Sequence, residues 1–120
     1  MKAFLFSIFA LALLVSIILV NAAYVGRVTD TMQLALQDLP QCSQAKEKAD
    51  ALLTLWEKEE TYLELSVSAT DMNDVENHLV ALHAAVRLND EEAFERSRAL
   101  CLVAVARIHD LERFRFLHIL

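Results

Sequence analysis

Glycine and proline are almost missing from this chain: Gly26 is the only glycine and Pro40 the only proline. Tight hairpins and short βα loops recruit these residues because they need a positive or a fixed φ. A sequence without them does not build many short strands. Cationic surplus is also missing. Beyond Ala22 the chain carries 10 Lys and Arg against 17 Asp and Glu. Binding to a nucleic-acid backbone needs a cationic face, and broad docking on anionic lipid needs one too. Both are excluded as principal activities. Gly-rich phosphate loops and nucleophile motifs are likewise absent. No Cys-x-x-Cys-His is present to attach a haem.

What remains is rich in Leu, Ala, Glu, Lys and Arg, all strong helix formers. The fold class expected is all-α: an N-terminal transmembrane helix continuing into an up-down bundle of three to four helices. At 120 residues, one small domain with a modest core is the expectation. Such a core leaves little room for an enclosed active site.

Residues Ala3 to Val20 are apolar except for Ser7 and Ser16. Eighteen helical residues span about 27 Å, close to the ~30 Å hydrocarbon core of a bilayer. Residues 1–22 therefore read as an uncleaved, signal-like membrane anchor, with lipid contacted through residues 3–20. Lys2 ahead of the run predicts a cytoplasmic N-terminus and an extracytoplasmic bundle over residues 23–120. The alternative is a secreted four-helix binding protein released by signal cleavage after Ala22, since Val20 and Ala22 occupy the two positions a signal peptidase reads.

From Val25 onward the apolar residues Val25, Val28, Met32, Leu36 and Leu39 recur at spacings of three and four. The first helix is thus expected to run on to about Leu39, where Pro40 stops it. Ser43 is expected to cap a second helix of about 24 residues, with Ala45, Ala49, Leu52, Leu53, Trp56 and Leu63 inward. Ser66 to Thr70 reads as a break. A third helix from about Asp71 carries Met72, Val75, Leu79, Leu82 and Val86 to Leu88. Asn89 is expected to cap a fourth, with Glu92 completing a capping box. Within that fourth helix Ala99–Ala106 is apolar on every side, which predicts burial on every side as the central helix of the bundle; the alternative is that one face meets a partner. The closing Phe114–Leu120 stretch, mixed with Arg113, Arg115 and His118, suits a membrane interface, and an up-down topology returns it there.

Three stretches resemble a known family. They are Trp56-Glu57-Lys58; Met72-Asn73-Asp74-Val75-Glu76 with Leu79 and Leu82; and Ile108, Leu111-Glu112, Phe114, Phe116 and Ile119-Leu120. Together they resemble the bacterial family catalogued as domain of unknown function 4363, whose members have one N-terminal membrane segment followed by helices. The chain departs from the family pattern at Ala69, Ala81 and His118, where histidine, arginine and asparagine are frequent. The resemblance implies no activity. It suggests a multi-span membrane protein as partner.

No residue is assigned to catalysis, to a cofactor or to a metal, and an enzyme is not expected. His78 and His83 are five apart, about 140° around a helix, whereas zinc pairs on helices sit three or four apart. Cys42 and Cys101 could pair in an oxidising compartment, but their heights in an up-down bundle differ, so two free thiols are expected. Glu57, Glu59, Glu60, Glu64, Asp71, Asp74 and Glu76 read as a solvated acidic end, and Trp56 as a core anchor. The function expected is a membrane-anchored helical interaction module acting through protein–protein contacts. A second copy of the chain is compatible as that partner.

Overall fold

The computed structural model describes the backbone of residues 1–119, and all their side chains except those of Arg115, Phe116, His118 and Ile119. The roles expected of those four side chains and of Leu120 lie outside the described residues. Four α-helices follow in order: α1 (Lys2–Gln37), α2 (Lys46–Leu63), α3 (Ala69–Arg87) and α4 (Glu91–Ile119), with a 3-10 turn at Cys42–Gln44 before α2. The fold is all-α, and the long apolar N-terminal helix packs against the others.

At 36 residues, α1 extends about 54 Å, and the molecule measures 67 × 22 × 22 Å. The first half of α1 stands clear of the bundle. Its most apolar 18-residue window has no buried residue. This helix is long and apolar enough to cross a membrane. The second half is amphipathic and packed, with Val25, Val28, Thr29, Met32 and Leu36 buried. Helix continues through Ala22 and Ala23 without a break, so no backbone feature marks a boundary there. Thr29 is tolerated inside because its hydroxyl donates to the Val25 and Gly26 carbonyls, at 2.9 and 3.0 Å.

The helices alternate in direction. Asp50 on α2 meets His83 on α3 at 2.5 Å, Asp74 on α3 meets Arg107 on α4 at 3.9 Å, and His109 on α4 meets Asp30 on α1 at 3.1 Å. One core runs through all four helices, with Trp56, Phe94, Leu63, Leu79 and Ile108 among its largest members.

Local chemistry sets the breaks, and three differ from expectation. The 18 residues of α2 fall short of the ~24 expected, because the chain first forms the 3-10 turn. Ser43 lies inside that turn, and Ala45 precedes α2 with no side-chain cap. The third helix starts two residues early: Ser68 caps it by accepting from the Asp71 N–H at 3.2 Å. Asn89 does not cap α4. It has φ 53° and closes α3, donating to the Val86 carbonyl at 3.2 Å, while Asp90 N–H reaches back to Ala85 at 2.9 Å. That pair of bonds is a Schellman closure, and Asn tolerates its left-handed position. Asp90 is the cap, its Oδ1 accepting from Ala93 N–H at 3.1 Å.

Candidate interaction surface

Helix α4 packs between α1 and α3, and its inward face is formed by Phe94, Cys101, Ala104, Val105, Ile108 and Glu112, all buried. Burial all round does not hold for Ala99–Ala106. Leu100 is 44% and Val103 68% exposed. Two neighbouring helices cover only part of a helix circumference, so an apolar sector is left outward.

That sector continues as a stripe. Leu100, Val103, Arg107, Asp110, Phe114 and Leu117 follow at alternating intervals of three and four, the spacing of one helix seam. Phe114 and Leu117 are as open as Val103, and Leu111 lies beside them, half exposed. Between this stripe and α3 runs an open groove of about 800 Å³. Ala104 and Ala106 line it where small side chains leave space, and Asp74 and His78 of α3 form its far edge. Arg107 spans the groove toward Asp74. The concavity therefore offers apolar surface at both ends and charges of both signs in the middle. This can hold another helix but lacks the convergent polar groups of a reaction centre.

The residues singled out in the sequence are dispersed. His78 lies at the groove edge, while His83 and His109 each face a carboxylate on a neighbouring helix. Among the described residues no group of three His, Cys, Asp or Glu gathers as a metal site. Cys42 and Cys101 are both buried and free. Burial raises the Cys101 thiol pKa to about 12. Burial, helped by Glu91, Asp90 and Glu95, also raises that of Cys42, whose Sγ points at the Ala85 carbonyl. Neither thiol is poised as a nucleophile. Trp56 is 1% exposed and sits in the core. In the acidic stretch, Glu60 is partly withdrawn, and desolvation with Glu76, Glu64 and Glu57 nearby raises its pKa.

A partner-facing side of Ala99–Ala106 was an alternative in the sequence, but its continuation as a stripe to Leu117 was not read there. Its signal was the recurrence of Leu100, Val103, Phe114 and Leu117 on one side of a helix whose opposite side was already apolar. Comparison with family models, with curated proteins and with solved structures finds no match for this chain.

Proposed function

We propose that this protein is a membrane-anchored helical interaction module, held by residues 3–20 of α1 and engaging a helix of a protein partner along α4. The observation that carries the partner contact is the stripe from Leu100 to Leu117, whose Leu100, Val103, Phe114 and Leu117 are exposed. Exposed apolar residues interleaved with charges along one helix face fit a protein interaction site. The exposed apolar half of α1 supports the anchor, and so does the likeness of the three stretches to single-span bacterial proteins.

The stripe specifies the partner's chemistry. A complementary helix is apolar at both ends and carries an acid opposite Arg107 and a base opposite Asp110. Read backwards, the stripe is nearly its own complement, so a second copy would fit it antiparallel. That pairing would point the two apolar α1 segments in opposite directions, away from one shared bilayer. A different chain in the same membrane fits better.

A photoactivatable amino acid at Val103, in the full chain in its native membranes, tests the proposal. It should give one discrete protein adduct, reduced when Leu100 and Phe114 are changed to Ser. The same label at Gln41, on the far tip of the bundle, should give none. Equal labelling at both sites would refute the α4 contact.

A further inference from the structure

A second concavity lies at the other side of α1, against the corner where α2 turns into α3. It measures about 580 Å³, within the ~300–1,000 Å³ range of ligand clefts. Ile17 and Val20 of α1 form one wall, Tyr62 and Leu65 of the corner the other. Tyr62 stands edge-on to Tyr24, ring centroids 6.4 Å apart at 78°. Polar chemistry is concentrated at the upper end, where the Tyr24 hydroxyl donates to Glu59 Oε2. Leu65 is 83% exposed and leaves the outer wall of the trough open.

Two features of this groove identify an occupant. First, it runs along α1 from Ser16 to Tyr24, across the end of the apolar run at Val20. On the anchor reading proposed above, on which this inference rests, its lower part opens sideways into the hydrocarbon layer and its upper part into the headgroup layer. Second, its charge is negative. Glu59 stands at the upper end, with Glu60 and Glu64 on the same end of α2. Among the described residues that line it, Glu59 is charged and none is Lys, Arg or His. An apolar trough with a carboxylate at its mouth complements an acyl chain with a cationic head. It repels an anionic one.

We infer that this groove is a lipid site: it holds one acyl chain of a bilayer lipid whose headgroup carries a primary ammonium, and that ammonium hydrogen-bonds to Glu59. Tyr24 occupies one carboxylate oxygen and fixes the side chain, leaving Oε1 for the ammonium. The site thereby confers a preference for zwitterionic amine lipid on a chain whose net charge already disfavours anionic surfaces.

The full-length chain, reconstituted in bilayers of equal phosphatidylethanolamine and phosphatidylglycerol and released into the gas phase, reads this directly. Mass spectrometry should find one retained phosphatidylethanolamine per chain and several-fold less phosphatidylglycerol. Glu59→Gln should lower that retention by about tenfold, the effect of losing one charge-assisted hydrogen bond. Val20→Trp should lower it too, by filling the trough with the carboxylate untouched. Glu47→Gln, at the opposite end of α2, should not. Equal retention of the two lipids, absence of a retained lipid, or indifference to Glu59→Gln would overturn the inference. Flotation of the same vesicles after alkaline washing separates the two readings. A chain that floats without lipid preference refutes the site alone, and one that washes off refutes the anchor as well.

Discussion

The side-chain amide of Asn21 on α1 donates a hydrogen bond to the Ser66 hydroxyl in the turn between α2 and α3. Forty-five residues apart in sequence, these two side chains pin the lower corner of the bundle where the apolar half of α1 begins. Glu112 of α4 is buried at the same level. Removing either partner should cost about 0.5–1.5 kcal/mol. A double-mutant cycle on Asn21→Ala and Ser66→Ala, followed by urea unfolding of the detergent-solubilised chain, should show coupling. Strict additivity would mean that the contact contributes nothing.

Trp56 is the largest fully buried side chain, and its indole N–H finds no hydrogen-bond partner among the described residues. Trp56→Ala should cost roughly 3–5 kcal/mol, most of the stability of a domain this small. Trp56→Phe removes an unpaired donor along with some volume, so it should cost only about 1–2 kcal/mol. A loss below ~1 kcal/mol for the alanine variant, read from chemical unfolding, would show that the ring is not a core anchor.

Asn89 sits at φ 53° in the closure of α3. A β-carbon without a local hydrogen-bonding side chain is strained there. Asn89→Ala should therefore destabilise by about 1 kcal/mol, and Asn89→Gly should not destabilise. If Asn89 instead capped α4, both changes would weaken the fold, with Ala worse than Gly by more than a few tenths.

Glu60 gives a pH signature. Burial first, and then the carboxylates of Glu76, Glu64 and Glu57, raise its folded pKa above 4.5. The folded chain keeps this proton at pH values where the unfolded chain has released it, so this group makes stability fall as pH rises through that interval. Above the interval the folded state carries an unfavourable carboxylate. Glu60→Gln should thus raise the urea midpoint at neutral pH and leave it nearly unchanged near about pH 3.5, where Glu60 is already neutral. An equal gain at both pH values would remove the electrostatic explanation.

The helical class was legible because near-absence of Gly and Pro and a 3.6-residue apolar period agree. The inward residues Val25, Met32, Leu36, Ala49, Leu52, Trp56, Met72, Val75, Leu79 and Leu82 were read from that period alone, and all are buried. Helix ends were less legible. Ser43, Ser68, Asn89 and Asp90 are all competent caps by composition, and only backbone geometry decides which accepts an N–H and which takes a positive φ. The α4 surface was hidden for a different reason. An apolar helix reads the same whether its second face meets a core or a partner, so the sequence leaves Leu100 and Val103 open between the two, and only their exposure decides. The groove beside Glu59 joins residues about 40 positions apart, and pairing of helices, which periodicity does not encode, brings them together.

The depth of α1 tests the account most directly. Single spin labels at Leu5, Leu11 and Ile17, and at Thr31 and Asp90, would be placed in the full chain reconstituted in lipid bilayers. Accessibility to oxygen, which enters the hydrocarbon, is compared with accessibility to a water-soluble nickel chelate. A membrane anchor predicts that the first three positions favour oxygen, with Leu11 deepest, while Thr31 and Asp90 are open to the chelate. Chelate access at Leu11 equal to that at Thr31 would contradict it.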